Sequence, residues 1–262
     1  MEGLLKTRVA LSLTGEDATG FLQGLVTQDV TGAQPVFAAL LTPQGKILFD
    51  FILVPVAGGY LIDCDGAAAP ALLKRLSMYK LRAKVTLAAE TGLGVFVGPR
   101  DGVRAAYADP RLPSLPARTI AAVADAPAAD DVYDALRLAA GVPEFGRDFA
   151  GEEVFLLDVN YDALAGVSYK KGCFVGQEVT SRMKRKGEIR KRTLMISGAA
   201  LQKGAAVKAG EVVIGEVMSV RGERGLALMR IDRLAAARAE GAEIACGGAP
   251  VRLESPAYLE GA

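Results

Sequence analysis

The segment Lys170-Lys171-Gly172-Cys173-Phe174-Val175-Gly176-Gln177-Glu178-Val179-Thr180-Ser181-Arg182 sets a thiol between two glycines, behind two lysines and ahead of residues able to turn helical. The thiolate is the nucleophilic and metal-binding form of cysteine, and a helix entrance beside ammonium groups favours it. Cys173 is therefore a candidate reactive or metal-contacting sulfur, with Lys171 and the helix entrance expected to lower its pKa. Gln177 and Glu178 fall in the first turn, and Glu178 precedes Arg182 by four positions; both arrangements are mildly favourable in a helix and would hold the loop. The alternative reading is a small buried apolar residue, the usual state of a free cysteine.

Composition narrows the chemistry. The 262 residues contain no histidine, which removes the commonest general base, the commonest zinc ligand and every Ser-His or Cys-His dyad. Cys64, Cys173 and Cys246 are too far apart for a C-x-x-C pair, and an odd number argues for a reducing compartment; a cytoplasmic protein is expected. No apolar run approaches the roughly 20 residues that span a bilayer, so no membrane partner is expected. The net charge of +1 conceals a basic run: residues 182–192 hold seven Lys and Arg against Glu188, so the remainder carries −5. Such a run is either a solvated loop or an anion contact, for RNA phosphates or for a small ligand's carboxylate. Asp158, Asn160 and Asp162 alternate; on an extended segment they would share one face and could bind a heterocycle's N–H edge, and in a turn they would cap a helix.

The elements that must position these residues read as an α+β mixture rather than βαβ. A strand at 9–13 leads to a helix over 16–26, and a hairpin follows with strands at 38–41 and 47–55 around Thr42-Pro43-Gln44-Gly45-Lys46. A further strand at 60–64, a helix over 67–79 and strands at 84–88 and 94–97 complete the first part. Residues 99–129, rich in alanine and proline, read as a linker with one short strand near 119–123. A helix over 131–140, with Val132, Leu136 and Ala139 on its apolar face, stops at Gly141 ahead of Pro143. Short β-rich pieces separated by glycine turns fill the last seventy residues, with one helix near 232–240.

Several of these segments together resemble the folate-binding YgfZ family, related to the aminomethyltransferase (T-protein) of the glycine cleavage system. Lys171-Gly172-Cys173-Phe174-Val175-Gly176-Gln177-Glu178 is similar to that family's K-G-C-[YF]-x-G-Q-E signature. Gly15, Phe21-Leu22-Gln23-Gly24, Thr27-Gln28-Asp29-Val30, Pro43-Gln44-Gly45-Lys46, Arg137 with Gly141-Val142-Pro143, and Arg182 with Ile189-Arg190-Lys191-Arg192 extend the match. In form it is similar to the branch that includes the mitochondrial iron–sulfur assembly factor.

The resemblance implies a T-protein-like ring: two intertwined antiparallel α/β-sandwich domains, at 1–98 and 99–190, plus a small C-terminal β-barrel at 191–262. It further implies tetrahydrofolate in a central cavity lined by Arg8, Tyr133, Arg137, Asp158 and Asn160, and a role beside iron–sulfur assembly proteins or client enzymes, with Cys173 as the functional thiol. Asp158 stands where relatives commonly carry glutamate, and Lys184-Arg185-Lys186 where relatives in this branch often carry a histidine. Two other functions fit the same residues: folate-dependent one-carbon transfer, and RNA binding in tRNA modification through the basic run.

Overall fold

The computed structural model describes residues 2–123, 125–186 and 189–260. Its first unit is a seven-stranded, wholly antiparallel sheet built from β1 (Gly3–Thr14), β2 (Val36–Leu41), β3 (Ile47–Val56), β4 (Gly59–Asp65), β5 (Thr86–Val97), β6 (Val103–Tyr107) and β7 (Arg118–Ala122). Their order is β2-β3-β4-β1-β5-β7-β6, so the first strand of the chain lies at the centre, paired to β4 on one side and β5 on the other. Helices α1 (Ala18–Gln23), α2 (Ala69–Lys80) and α3 (Asp130–Ala139) accompany it. After α4 (Gln177–Lys186), the chain enters a second antiparallel sheet. Its strands are β8 (Lys191–Ser197), β9 (Ala206–Ala209), β10 (Val212–Arg221), β11 (Arg224–Arg230), β12 (Ile244–Cys246), β13 (Ala249–Pro250) and β14 (Arg252–Glu254), with α5 (Ile231–Ala239) between β11 and β12. This second unit is a small β-barrel with its own apolar cluster, including Leu194, Ile196, Val207, Ile214, Val217 and Met229.

Three local expectations are corrected. Residues 99–129 are no linker: β6 and β7 extend the first sheet, and β7 pairs with β5 from Leu93↔Ala122 to Val97↔Arg118. The proposed division at residue 98 thus falls inside a continuous sheet. The first helix is only six residues long, because the chain turns off at Gly24; Asp17 does not cap it but accepts from the Lys84 backbone N–H at 2.7 Å. The third correction concerns α3. Its exposed face carries Val132 (51% exposed), Leu136 (42%) and Ala139, and its buried face carries Tyr133, Arg137 and Leu138.

That reversal has an electrostatic cause. Asp63 on β4 is fully buried and accepts from Arg8 Nε on β1 (2.7 Å), Arg118 Nη1 on β7 (2.5 Å) and the Tyr107 hydroxyl on β6 (2.8 Å). Arg118 and Arg111 both donate to the Tyr133 hydroxyl, and Arg111 also grips Asp109 with two hydrogen bonds, at 2.9 and 2.7 Å. Arg137 pairs with Asp148 at 2.5 Å and lies 3.4 Å from Glu144, which also faces Arg8. Burial works against the Asp63 carboxylate, but Arg8 and Arg118 outweigh it and hold its pKa below the usual range. The polar side of α3 therefore turns inward because its partners are already there.

Removing one member would leave the others buried and unpaired. Asp63→Asn is expected to destabilise the fold by about 3–5 kcal/mol, read as a lower urea midpoint with an unchanged slope; a loss below about 1 kcal/mol would show that the network carries little of the fold.

Candidate functional site

Segment 168–176, between the first sheet's core and α4, has no regular structure and is fastened on both sides of its tip. Lys171 is buried, and its Nζ donates to the carbonyls of Val26 (2.6 Å) and Gln28 (2.9 Å). Phe174 is buried in the main apolar core, with the Lys171 ammonium 5.4 Å from its ring centroid. Between these anchors Gly172 and Cys173 are exposed, and a methyl group added at Gly172 would meet nothing within 4 Å. The tip thus presents one thiol from a short span pinned by a cation on one flank and an aromatic ring on the other.

The surroundings are the other segments singled out in the sequence. The Thr27 hydroxyl donates to Gly166 O (2.6 Å) and accepts from Ala39 N–H (2.8 Å), and the Ser168 N–H donates to Thr27 O at 3.0 Å. Gln28 Nε2 donates to Ala165 O at 2.6 Å. Gly176 has φ +79°, and a Cβ there would stand 2.7 Å from Thr42 O; a Cβ on Gly45 would stand 2.9 Å from Val179 Cβ. Those two glycines permit the contact between the 42–46 turn and the start of α4. Residues from the twenties, the forties and the 160s–170s therefore form one cluster.

The charged neighbours do different work from that expected. The Lys171 ammonium is committed to two carbonyls, so it is an anchor of the loop and not an activator of the thiol; burial pulls its pKa down to about 8 against the opposing pull of Asp29. Glu178 and Arg182 do pair, but at the exposed surface, where such a pair contributes only a few tenths of a kcal/mol. Gln177 closes the loop through its backbone, donating to Phe174 O at 3.2 Å. The three cysteines separate cleanly: Cys64 and Cys246 are buried, burial pushing Cys64 up to about 12, and Cys173 is exposed.

Within the basic run, Arg192 holds Asp162 through both terminal nitrogens (2.5 and 2.9 Å) and donates to Leu157 O, clamping the barrel to segment 156–162. Lys184 lies 3.6 Å from the same carboxylate. Arg190 and Lys191 are exposed, and Glu188 lies outside the described residues. Asp158, Asn160 and Asp162 do not share an extended face: the chain turns there, with Asn160 at φ +62°.

The five residues expected to hold a folate form no common seat. Arg8, Tyr133 and Arg137 belong to the buried ion network. Asp158 and Asn160 lie at the barrel seam, where Asp158 accepts from the Phe155 N–H and Asn160 Nδ2 donates to Thr193 O (2.8 Å) and the Tyr258 hydroxyl (3.1 Å). The buried polar atoms left without a partner among the described residues include Glu144 Oε2, Arg118 Nε and Asn160 Oδ1, single atoms of side chains otherwise held. A cleft of about 470 Å³ opens between segment 146–154 and the barrel, with Arg147, Phe149, Lys203 and Glu216 in its lining, and two more open ones, of about 490 and 340 Å³, lie near 31–35 and 54–60; none of the three is lined by any of the five. These five residues, as placed, do not make one folate seat.

Sequence reasoning missed Asp63, Asp109, Arg111, Arg118, Glu144 and Asp148, the body of the network. One signal was available: Asp50 and Asp63 are carboxylates flanked by apolar residues inside strands, a pattern that demands a buried partner.

A family model described as "CAF17, C-terminal beta-barrel domain" matches residues 190–260. The chain is 34% identical over 236 residues to the iron–sulfur cluster assembly factor IBA57 homolog, mitochondrial, of Coccidioides immitis, covering 73% of this chain and 55% of that protein. It is 30% identical over 275 residues to human iron–sulfur cluster assembly factor IBA57, mitochondrial, covering 88% and 77%. The chain thus spans little more than half the length of the fungal relatives it matches. Among solved structures, the glycine cleavage system aminomethyltransferase T from Bartonella henselae superposes with a TM-score of 0.70 at 16% identity, over 98% of this chain and 85% of that one, which establishes the shared fold. The cytoplasmic placement is overturned by these relatives, which are named mitochondrial. Unpaired cysteines report a reducing compartment without saying which.

Replacing Lys171 by methionine leaves two carbonyls without their donor and is expected to cost about 1–3 kcal/mol, with faster amide exchange across 168–176. The pH dependence has a defined sign. Burial lowers the Lys171 pKa to about 8 from 10.5, so the unfolded chain binds more protons between those values, and Lys171 makes stability rise with pH across that window. Lys171→Met should lose that rise; an identical slope in both proteins would refute the buried ammonium.

Proposed function

The chain belongs to the IBA57 family of iron–sulfur cluster assembly factors, and on that premise we propose that it is an accessory protein in iron–sulfur cluster assembly or repair, with Cys173 as its functional thiol. The observation that carries this reading is the exposure of one cysteine of three, at the tip of a loop whose flanks are pinned by Lys171 and Phe174. The kinship of the K-G-C motif with the YgfZ family supports the same role.

A single sulfur does not hold a cluster, which takes about four ligands. Among the described residues no group of three or more His, Cys, Asp or Glu side chains is placed to bind a metal. Cys173 therefore works as one ligand in a shared set, the rest coming from a partner protein or a small thiol. Its proton leaves to solvent as the sulfur–iron bond forms. The open approach at Gly172 gives a partner room, and the two anchors limit how far the sulfur strays.

The rival one-carbon transfer needs a folate seat, and the residues proposed for it are engaged by other groups in two separate places, the buried ion network and the barrel seam. RNA binding through the basic run is weakened by the commitment of Arg192 to Asp162. Titration with tetrahydrofolate is accordingly expected to leave the thermal midpoint unchanged, whereas ligand-dependent stabilisation would restore the one-carbon reading. Cys173→Ala should keep the wild-type midpoint, as exposed substitutions change stability by within about 0.5 kcal/mol, while iron–sulfur enzyme activities fall severalfold in cells that depend on this chain. Undiminished activities would exclude the thiol role.

A further inference from the structure

The outer end of α2 combines features that folding does not use. Residues 74–84 contain Lys74, Arg75, Lys80, Arg82 and Lys84 and no carboxylate. The helix buries Ala69, Leu72 and Leu76, while Met78 is 62% exposed and Leu81, one turn further on, is 90% exposed. Lys74, Lys80 and Arg82 are exposed beside them. Among the described residues, only Lys84 of the five cations is in an ion pair, with Glu16 at 2.8 Å.

Leu81 also occupies a strained position. It ends the helix at φ 40°, ψ −105°, a backbone conformation with positive φ that L side chains rarely adopt and that is costly for a leucine. Folding therefore gains neither apolar burial nor backbone ease from a leucine here. An exposed apolar pair, a collar of unpaired cations and a strained residue that holds the outermost side chain in solvent coincide at one tip.

We infer that this tip is a peripheral docking site for an anionic lipid surface. Met78 and Leu81 enter the boundary between headgroups and acyl chains, and Lys74, Arg75, Lys80 and Arg82 meet the lipid phosphates. The unpaired cations of this tip are complementary to such a surface. The shape favours lipid over an acidic protein: none of the three clefts described above is lined by residues 74–84, and the tip presents Met78 and Leu81 as knobs. A bilayer accepts a knob at any point, and a protein would need a pocket matched to Leu81. No helix among the described residues is long and apolar enough to cross a membrane, so the contact is at its surface. The absence of a spanning segment, on which the sequence-based exclusion of membranes rests, does not bear on a contact of this kind.

The test is sedimentation of the full chain with phosphatidylcholine vesicles, with and without about 30% phosphatidylglycerol. Binding to the anionic vesicles is expected, weakening as salt is raised. Leu81→Gly should lower vesicle partitioning severalfold while leaving the thermal midpoint unchanged or higher, since glycine relieves the backbone. Met78→Ser should weaken binding likewise, and the double reversal Lys80→Glu with Arg82→Glu should reduce it by roughly tenfold or more at low salt. No binding to anionic vesicles, or wild-type binding by both Leu81→Gly and Met78→Ser, would overturn the assignment. So would a marked drop in the midpoint of Leu81→Gly, which would make Leu81 structural. Soluble polyglutamate binding that falls in parallel with Leu81→Gly would point to an acidic protein partner and overturn the lipid assignment as well.

Discussion

The fold depends on a carboxylate that never meets water. Asp63 sits on β4 beside the central strand and draws Arg8 from β1, Arg118 from β7 and Tyr107 from β6 to one point. Around it, four buried arginines (residues 8, 111, 118 and 137) face four buried acids (residues 63, 109, 144 and 148), so the interior is close to electrically balanced. Apolar side chains of similar volume could hold these elements as strongly, because desolvation consumes most of the Coulombic gain. They could not specify the same arrangement. A slip of one residue in β1 would point Arg8 away from Asp63, and a rotation of α3 would strand Arg137 from Asp148. The network therefore selects strand register and helix face in a way apolar packing tolerates poorly.

The thiol loop is built on a different principle. Its contacts run from side chains to backbone carbonyls and amides: Thr27 to Gly166, Gln28 to Ala165, and Lys171 to Val26 and Gln28. Backbone groups are fixed by the sheet and the elbow after α1, so the anchors hold the loop's base regardless of which side chains sit nearby. Gly176 at φ +79° and Gly45 at φ +84° then let the loop's end lie against the 42–46 turn with no side chain between them. Segments more than a hundred residues apart share this surface, which explains why the Thr27 elbow and the 42–46 turn accompany the K-G-C motif in sequence.

Much of this was legible in the residues, and the failures have physical causes. The 42–46 turn, the helix from Gln177 and the β-rich end follow from local signals: proline and glycine placement, a first-turn glutamate and short strands between glycines. The buried face of α3 was not legible, because hydrophobicity points to Val132 and Leu136, while the true face is chosen by charged partners of Tyr133 and Arg137, namely Arg111, Arg118, Glu144 and Asp148, which a hydrophobic pattern does not register. A strand near 119–123 was legible, but its place in the first sheet was not, because Arg118 reads as a surface residue until Asp63 and Tyr133 are beside it. In the site, the motif singled out Cys173, which is exposed, and the lysine beside it read as an activator. Whether an ammonium faces a sulfur or a carbonyl is decided by tertiary structure, and the Val26 and Gln28 carbonyls lie some 145 residues earlier.

The turning of Lys171 into the protein constrains how the thiol can act. A free-standing nucleophile needs a base or a cation dedicated to the thiolate; this chain has no histidine, and the ammonium nearest in sequence and buried with the loop serves the backbone. In the role proposed for Cys173, a cation comes with the incoming partner. An iron ion or a cluster edge supplies it directly, since coordination and loss of the proton are a single equilibrium. A loop that is firm at its base and open at its tip offers one sulfur to an incoming metal while its own cation stays bound to the backbone, which is the arrangement that the proposed role in handling clusters requires.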